Sequence, residues 1–341
     1  NKYRFDNFGT SAVTLDLAEG GTYIFDGSDS SMASHPIKLS ETSNGTHGGG
    51  SSYNTGVTYL LDGASVTESA YVSGYSSATT RQLKIVVAAS APTLYYYCHY
   101  HSGMGGQVNT NSTLGSSNFD GSIQATVKVN ATAGFSIVSY TGTGSALTVG
   151  HGLGVAPDVL IVKNREEASS WRVFHHKNTS APETEYLALD NTNATFDRND
   201  WNDTLPTSTV FSVGPQGAVN NNNIDYIGYI FSEVAGYSKF GSVNTNGSTD
   251  NAFIYLGFRA KFIMFKRSDG SGNWTMWDTS RNTFNVMDKY LFANSSGSEG
   301  TDSQFDILSN GIKLRTSGYV NGGTYIYFAF AKSPLKYARA R

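Results

Sequence analysis

Four landmarks in the later part of the chain recur in the same order at nearly one spacing. WRVFH begins at Trp171 and WTMWD at Trp274, 103 residues on. Lys163 closes VLIVK and Lys266 closes FIMFK, again 103 apart. Tyr186-Leu187 and Tyr290-Leu291 lie 104 apart, and YIGYIFSE from Tyr226 and YIYFAFAK from Tyr325 lie 99 apart. A period near 100 residues is longer than the roughly 20–50 residues of solenoid repeats. It fits a small β-sandwich of about 100 residues. The spacing predicts two tandem units, 130–236 and 237–341.

The runs inside and before these units are short and strand-like: TYIF from Thr22, QLKIVV from Gln82, TLYYY from Thr93 and VLIV from Val159. Clusters such as Gly48-Gly49-Gly50 and Asn220 to Asn223 separate them. Aromatic and β-branched residues suit a pleated, half-buried surface, and Gly and Asn supply the turns. Leu, Glu and Lys rarely recur at helical spacing, so no helix longer than a turn or two is expected. Composition shifts near residue 108: the stretch from Asn109 to Gly121 is Ser, Thr, Asn and Gly, and IQATVKV from Ile123 alternates like a strand. The reading is all-β: a β-sandwich over 1–108, a linker and leading strand over 109–129, then the two tandem β-sandwich, jelly-roll-like units.

Several function classes are excluded. The net charge is −3 with no basic stripe, so nucleic acid is not an expected partner. No run of 18 apolar residues exists, so no membrane insertion is expected. The sequence shows no signal peptide and starts at Asn1 rather than Met, which reads as a processed or partial chain. With one Cys, an internal disulfide is impossible. No acidic pair stands out for hydrolysis of sugars, and Cys98 beside His99 or His101 lacks a third, orienting group for nucleophilic catalysis. GHGLG from Gly150 reads as a turn before DVLIV, because no Lys-Ser or Lys-Thr follows as in a phosphate-binding loop. No catalytic residue is assigned. His175 and His176 are adjacent on a strand, face opposite sides, and are expected as surface imidazoles. Asn-x-Ser/Thr sequons are frequent, for example at Asn44, Asn111, Asn130, Asn178, Asn193 and Asn246, and most are expected from composition alone. Trp171, Trp274 and Trp277 suit buried sandwich positions better than sugar stacking.

One stretch carries chemistry. YYYCHYHSGMGG, Tyr95 to Gly106, contains the only Cys of the chain. Cys98, His101 and Met104 follow a strand with spacing Cys-x2-His-x2-Met, and glycines permit a tight loop. Type 1 copper takes two imidazoles, a thiolate and a weak axial thioether. The second imidazole should come from a neighbouring strand, and His35 in SMASHPIKLS is the candidate. His99 would face the other side of its strand, and His47 in THGGG reads as a loop residue. The alternative is that Cys98 and Met104 pack as small hydrophobes while backbone satisfies His101.

On these residues, 3–110 resemble the cupredoxins, with YYYCHYHSGMGGQV similar to the short ligand loop of the plastocyanin and amicyanin-like group. The resemblance implies His35, Cys98, His101 and Met104 as copper ligands. Electron-transfer members place Asn after the first His; here that residue is Pro36, which has no N–H to give.

A second resemblance rests on TGTGSALTVGHGLGVAPDVLIVKNREEASSWRVFH, Thr141 to His175. It is similar to a domain of virion and tail-fibre proteins of tailed phages, and extends over about 135–336. It implies a noncatalytic structural protein on the virion surface: a fibre, tail or capsid-decoration component. Implied partners are other virion proteins and a host cell-surface glycan or protein. Free sheet edges add the expectation of a homo-oligomer. The alternative is an extracellular or periplasmic copper electron-transfer protein fused to adhesive β-domains.

Overall fold

The computed structural model describes residues 1–6, 8–111, 115–315, 320 and 322–333. The architecture is all-β. The chain forms two compact units, Asn1–Ser122 with Thr126–Lys128, and Ile123–Ala125 with Val129–Arg341.

The first unit contains β1 (Leu15–Asp16), β2 (Thr22–Asp26), β3 (Ile37–Ser40), β4 (Val57–Leu61), β5 (Ala64–Val66), β6 (Arg81–Val86), β7 (Leu94–Cys98), β8 (Gly106–Asn109) and β9 (Ser116–Asn118). Two four-stranded sheets, β1-β8-β7-β3 and β2-β6-β4-β5, share one core. Alternation explains the layering: Leu83 and Ile85 of β6 and Leu94, Tyr96 and Cys98 of β7 are all buried. The helix α1 (Glu68–Gly74) begins at Thr67, whose hydroxyl accepts from Ala70 N at 3.2 Å, and it buries Tyr71.

The stretch expected as a linker is built into this unit over much of its length. Asp16 N donates to Ser117 Oγ at 2.7 Å, Tyr23 Oη and Ser116 Oγ are 2.5 Å apart, and Phe119 stacks on Phe5. Thr126 in β10 (Ala125–Asn130) donates to Asp16 Oδ2 at 2.7 Å. Hydroxyls that look idle in the sequence serve as partners for strand-edge groups.

The second unit contains two sets of eight strands. The first set is β11 (Phe135–Thr141), β12 (Leu147–Gly150), β13 (Val159–Asn164), β14 (Arg172–His175), β15 (Glu185–Ala188), β16 (Phe196–Asp197), β17 (Val210–Val213) and β18 (Asp225–Phe231). The second is β19 (Ser238–Thr245), β20 (Phe253–Tyr255), β21 (Ala260–Arg267), β22 (Thr275–Asp278), β23 (Met287–Phe292), β24 (Gly300–Ile307), β25 (Gly311–Leu314) and β26 (Gly323–Ala331). In the first set β11-β18-β13-β14-β15-β16 are neighbours and β12 pairs with β17; in the second β19-β26-β21-β22-β23-β24 are neighbours and continue to β25-β20. Taken in chain order, each strand of one set has its counterpart in the other. The sets differ where β24, eight residues long, reaches β25, whereas β16 has two residues.

The sets also share a core. Val159, Val173 and Leu187 of the first pack with Phe240, Met264, Trp274, Ile326 and Phe328 of the second. Trp274 Nε1 donates to Ala188 O at 2.7 Å, and Lys266 Nζ donates to Asn193 O at 2.7 Å. The stretches 130–236 and 237–341 therefore pack as one body.

His175 corrects the expectation of a surface imidazole. It is 1% exposed, its Nδ1 accepts from Lys177 N at 3.1 Å, and its Nε2 lies 3.4 Å from Tyr327 O. Its outward-facing side is covered by β26, which the sequence pairing of neighbours does not reveal. His176 pairs with Asp158 at 3.0 Å and meets Phe240 O at 2.9 Å, and is only half-buried.

Candidate metal centre

The register of two strands assembles the site. β3 pairs antiparallel with β7, Ile37 opposite Cys98. Because the strands run in opposite directions, the residues just before β3 lie beside those just after β7. His35 stands two before Ile37, and His101 three after Cys98. The loop then returns tightly: a Cβ on Gly105 would collide with the Tyr96 carbonyl, so only glycine fits. β8 resumes at Gly106, paired with Tyr96.

His35 Nδ1 and His101 Nδ1 are 3.0 Å apart, Cys98 Sγ is 3.5 Å from His101 Nδ1, and Cys98 Sγ is 3.8 Å from His35 Nδ1. A triangle with these sides has one point equidistant from its corners, about 2.0 Å from each, close to tabulated metal–imidazole and metal–thiolate lengths of about 2.0–2.3 Å. Two imidazoles and a thiolate are the donor set that trigonal copper takes. Cys98 is fully buried, His35 half-buried and His101 exposed, so one side of the triangle faces solvent. Met104, 5% exposed, lies in the same core as Cys98 and lines a cleft of about 570 Å³ together with His35 and Ile37. Burial, and then the neighbouring His101 and the amino terminus, lower the His35 pKa, which favours the neutral imidazole that a ligand must be.

The packing alternative also finds support, since Cys98 and Met104 do belong to the apolar core. It leaves unexplained why two imidazoles present the same nitrogen to each other beside a sulfur.

The ligand loop is tied down by Asn44 rather than by the residue after His35. Asn44 Nδ2 donates to Ser102 Oγ at 2.8 Å, and its Oδ1 accepts from Gly103 N at 2.8 Å. Pro36 contributes its carbonyl instead, accepting from His99 N at 2.9 Å. His47 is not an idle loop residue: its Nε2 lies 3.1 Å from Cys98 O. Gly45 beside it has φ +56°, and any Cβ there would enter the ring of Tyr97.

His99 faces away from the triangle, as alternation requires. Its Nδ1 is 3.5 Å from Lys38 Nζ, and buried Lys38 is ion-paired with Glu68. Glu68 accepts from Ser52 and Asn54; burial opposes its charge, yet the Lys38, Ser52 and Asn54 bonds bring its pKa down to about 2. The sequence carries little sign that Asn44 and the Lys38–Glu68 pair belong to this region; an Asn-Gly pair at Asn44 is the one signal, and it indicates only a turn.

Among the described residues no helix is long and apolar enough to cross a membrane. Trp274 and Trp277 are fully buried, while Trp171 is half-buried and stacked on Tyr229.

Comparison with known proteins is informative for the later part of the chain. No curated protein matches it, and no solved structure does. Residues 109–334, well over half of the chain, match a family described as a domain of unknown function, DUF7483. The chain belongs to the DUF7483 family.

Proposed function

We propose that this chain is a noncatalytic structural protein of the tailed-phage virion surface, whose N-terminal unit would hold one copper ion through His35, Cys98 and His101, with Met104 as a further candidate ligand. The observation that carries the metal assignment is the triangle of one sulfur and two nitrogens whose centre lies about 2.0 Å from each corner. Copper bound there would supply a one-electron couple. The chain itself fixes the donors through the β3–β7 register and anchors the loop through Asn44. The virion assignment is supported by the resemblance of Thr141 to His175 to phage structural proteins.

Two measurements test these halves. Copper(II) added to the purified chain should give an intense visible sulfur-to-copper band, absent in Cys98→Ser and weakened in His35→Ala. A colourless wild type with no bound copper ends the metal assignment. Mass spectrometry of purified phage particles should find the chain at structural copy number; a chain found only free in the periplasm or medium, reversibly reduced by a partner protein, favours the electron-carrier alternative instead.

A further inference from the structure

One residue near the amino terminus hydrogen-bonds to the backbone of two of the four candidate ligands. Tyr3 is 3% exposed. Its backbone N–H donates to Met104 O at 3.0 Å, and its hydroxyl donates to His35 O at 3.0 Å. The Tyr3 carbonyl accepts from Ala12 N at 2.8 Å, and its ring leans on Tyr96 with centroids 6.1 Å apart. Each hydrogen-bonding group of Tyr3 thus has a partner, and two of those partners belong to His35 and Met104.

We propose that Tyr3 is the positioning residue of this centre. It latches the segment before β3 and the Met104 loop, which flank Cys98, into one geometry without itself being a ligand. The assignment deepens the copper reading and rests on it for its metal-bound consequences. By holding the backbone of His35 and Met104, Tyr3 fixes the groups that surround the Cys98 sulfur, as outer partners of metal ligands do. The N-terminal segment is then part of the centre although it lies 95 residues before Cys98.

The test compares Tyr3→Phe with Tyr96→Phe in the full chain. Tyr96 is the control, because its buried hydroxyl donates to Val13 O at 2.8 Å and touches no candidate ligand. In the metal-free protein, the reaction of Cys98 with an aromatic disulfide should be about fivefold faster in Tyr3→Phe, the ratio expected for one ordinary hydrogen bond, and about unchanged in Tyr96→Phe. With copper(II), Tyr3→Phe should bind about fivefold more weakly and move the sulfur-to-copper band, while Tyr96→Phe does neither. Equal thiol rates and equal spectra in the two variants overturn the proposal. If wild type takes up no copper but Tyr3→Phe still exposes the thiol, the latch stands and the copper reading falls. Should Tyr3→Phe not fold, proton exchange of the wild-type Tyr3 hydroxyl decides: slow exchange supports the latch, and exchange as fast as a surface tyrosine overturns it.

Discussion

Asn44 sits in the left-handed region at φ 62°, where its side chain is aimed at Ser102 and Gly103. Asn tolerates this conformation; a residue with an ordinary Cβ pays about 1–2 kcal/mol there. Asn44→Gly should therefore lose only the two loop bonds, about 1–2 kcal/mol in all. Asn44→Ala should lose the same bonds and add roughly 1 kcal/mol of strain. Denaturant titration of both variants checks the order, and equal losses would show that the strain is not real. Copper affinity should fall alike in both. A second residue-scale effect comes from two neighbouring histidines with opposite shifts. Burial and then the neighbouring His176 push the His175 pKa down to about 3. Burial also opposes charge on His176, but Asp158 and the Phe240 carbonyl outweigh it and raise its pKa above 6.5. Between about pH 3 and 6.5 the unfolded chain binds more protons at His175, so stability rises with pH. Above 6.5 the folded chain binds more at His176, so stability falls as pH rises through that raised pKa. These two groups place a maximum near pH 6.5, and His176→Gln should flatten the alkaline limb. Thermal unfolding across pH 4–9 (an interval of about that width suffices) reads both limbs; an unchanged alkaline limb in His176→Gln removes the assignment. The candidate trio of Cys98, His101 and Met104 was legible because it is local in sequence. Tyr3 and Asn44 were not, because the strands that bring them to the loop are set by pairing and not by spacing.

At the scale of elements, the repeated landmarks fall on corresponding strands but are not equivalent in their surroundings. Trp171 and Trp274 each stand immediately before corresponding strands, β14 and β22. Lys163 and Lys266 donate to the carbonyl of the residue that follows, at 2.7 and 2.9 Å. Yet Trp274 is fully buried and bonded to Ala188 O, while Trp171 is half-buried against Tyr229. Trp274→Ala should cost about 3–5 kcal/mol, as a large cavity and a lost indole partner require. Trp171→Ala should cost about 1 kcal/mol, the scale of one lost aromatic contact. Urea unfolding of the two variants separates them, and equal costs would contradict the difference in burial. Spacing revealed the correspondence; it could not reveal which copy of a residue lies between the two sets. Nor did GTDSQFDI announce the longer strand β24, because its polar residues alternate with few apolar ones until Phe305 and Ile307.

The whole of the second unit depends on that shared core. A pair of independent sandwiches would each keep its own interior, and removing one would leave the other intact. Here Val159, Val173 and Leu187 are covered by Phe240, Met264, Trp274, Ile326 and Phe328. Removing 237–341 would uncover an apolar surface around residues that are now fully buried, and would free the Ala188 and Asn193 carbonyls from Trp274 and Lys266. Burial contributes about 25 cal/mol per Å², and a few such side chains amount to several kcal/mol, comparable to the net stability of a whole domain. A chain ending at residue 236 should therefore lack cooperative unfolding in its DUF7483 part and bind a hydrophobic dye, whereas residues 123–341 together should unfold in one transition. The comparison needs only near-ultraviolet circular dichroism, dye fluorescence and thermal melts of the two fragments. A well-packed, dye-free 123–236 fragment would show that each strand set is a domain in its own right and that the common core is an addition to two stable folds.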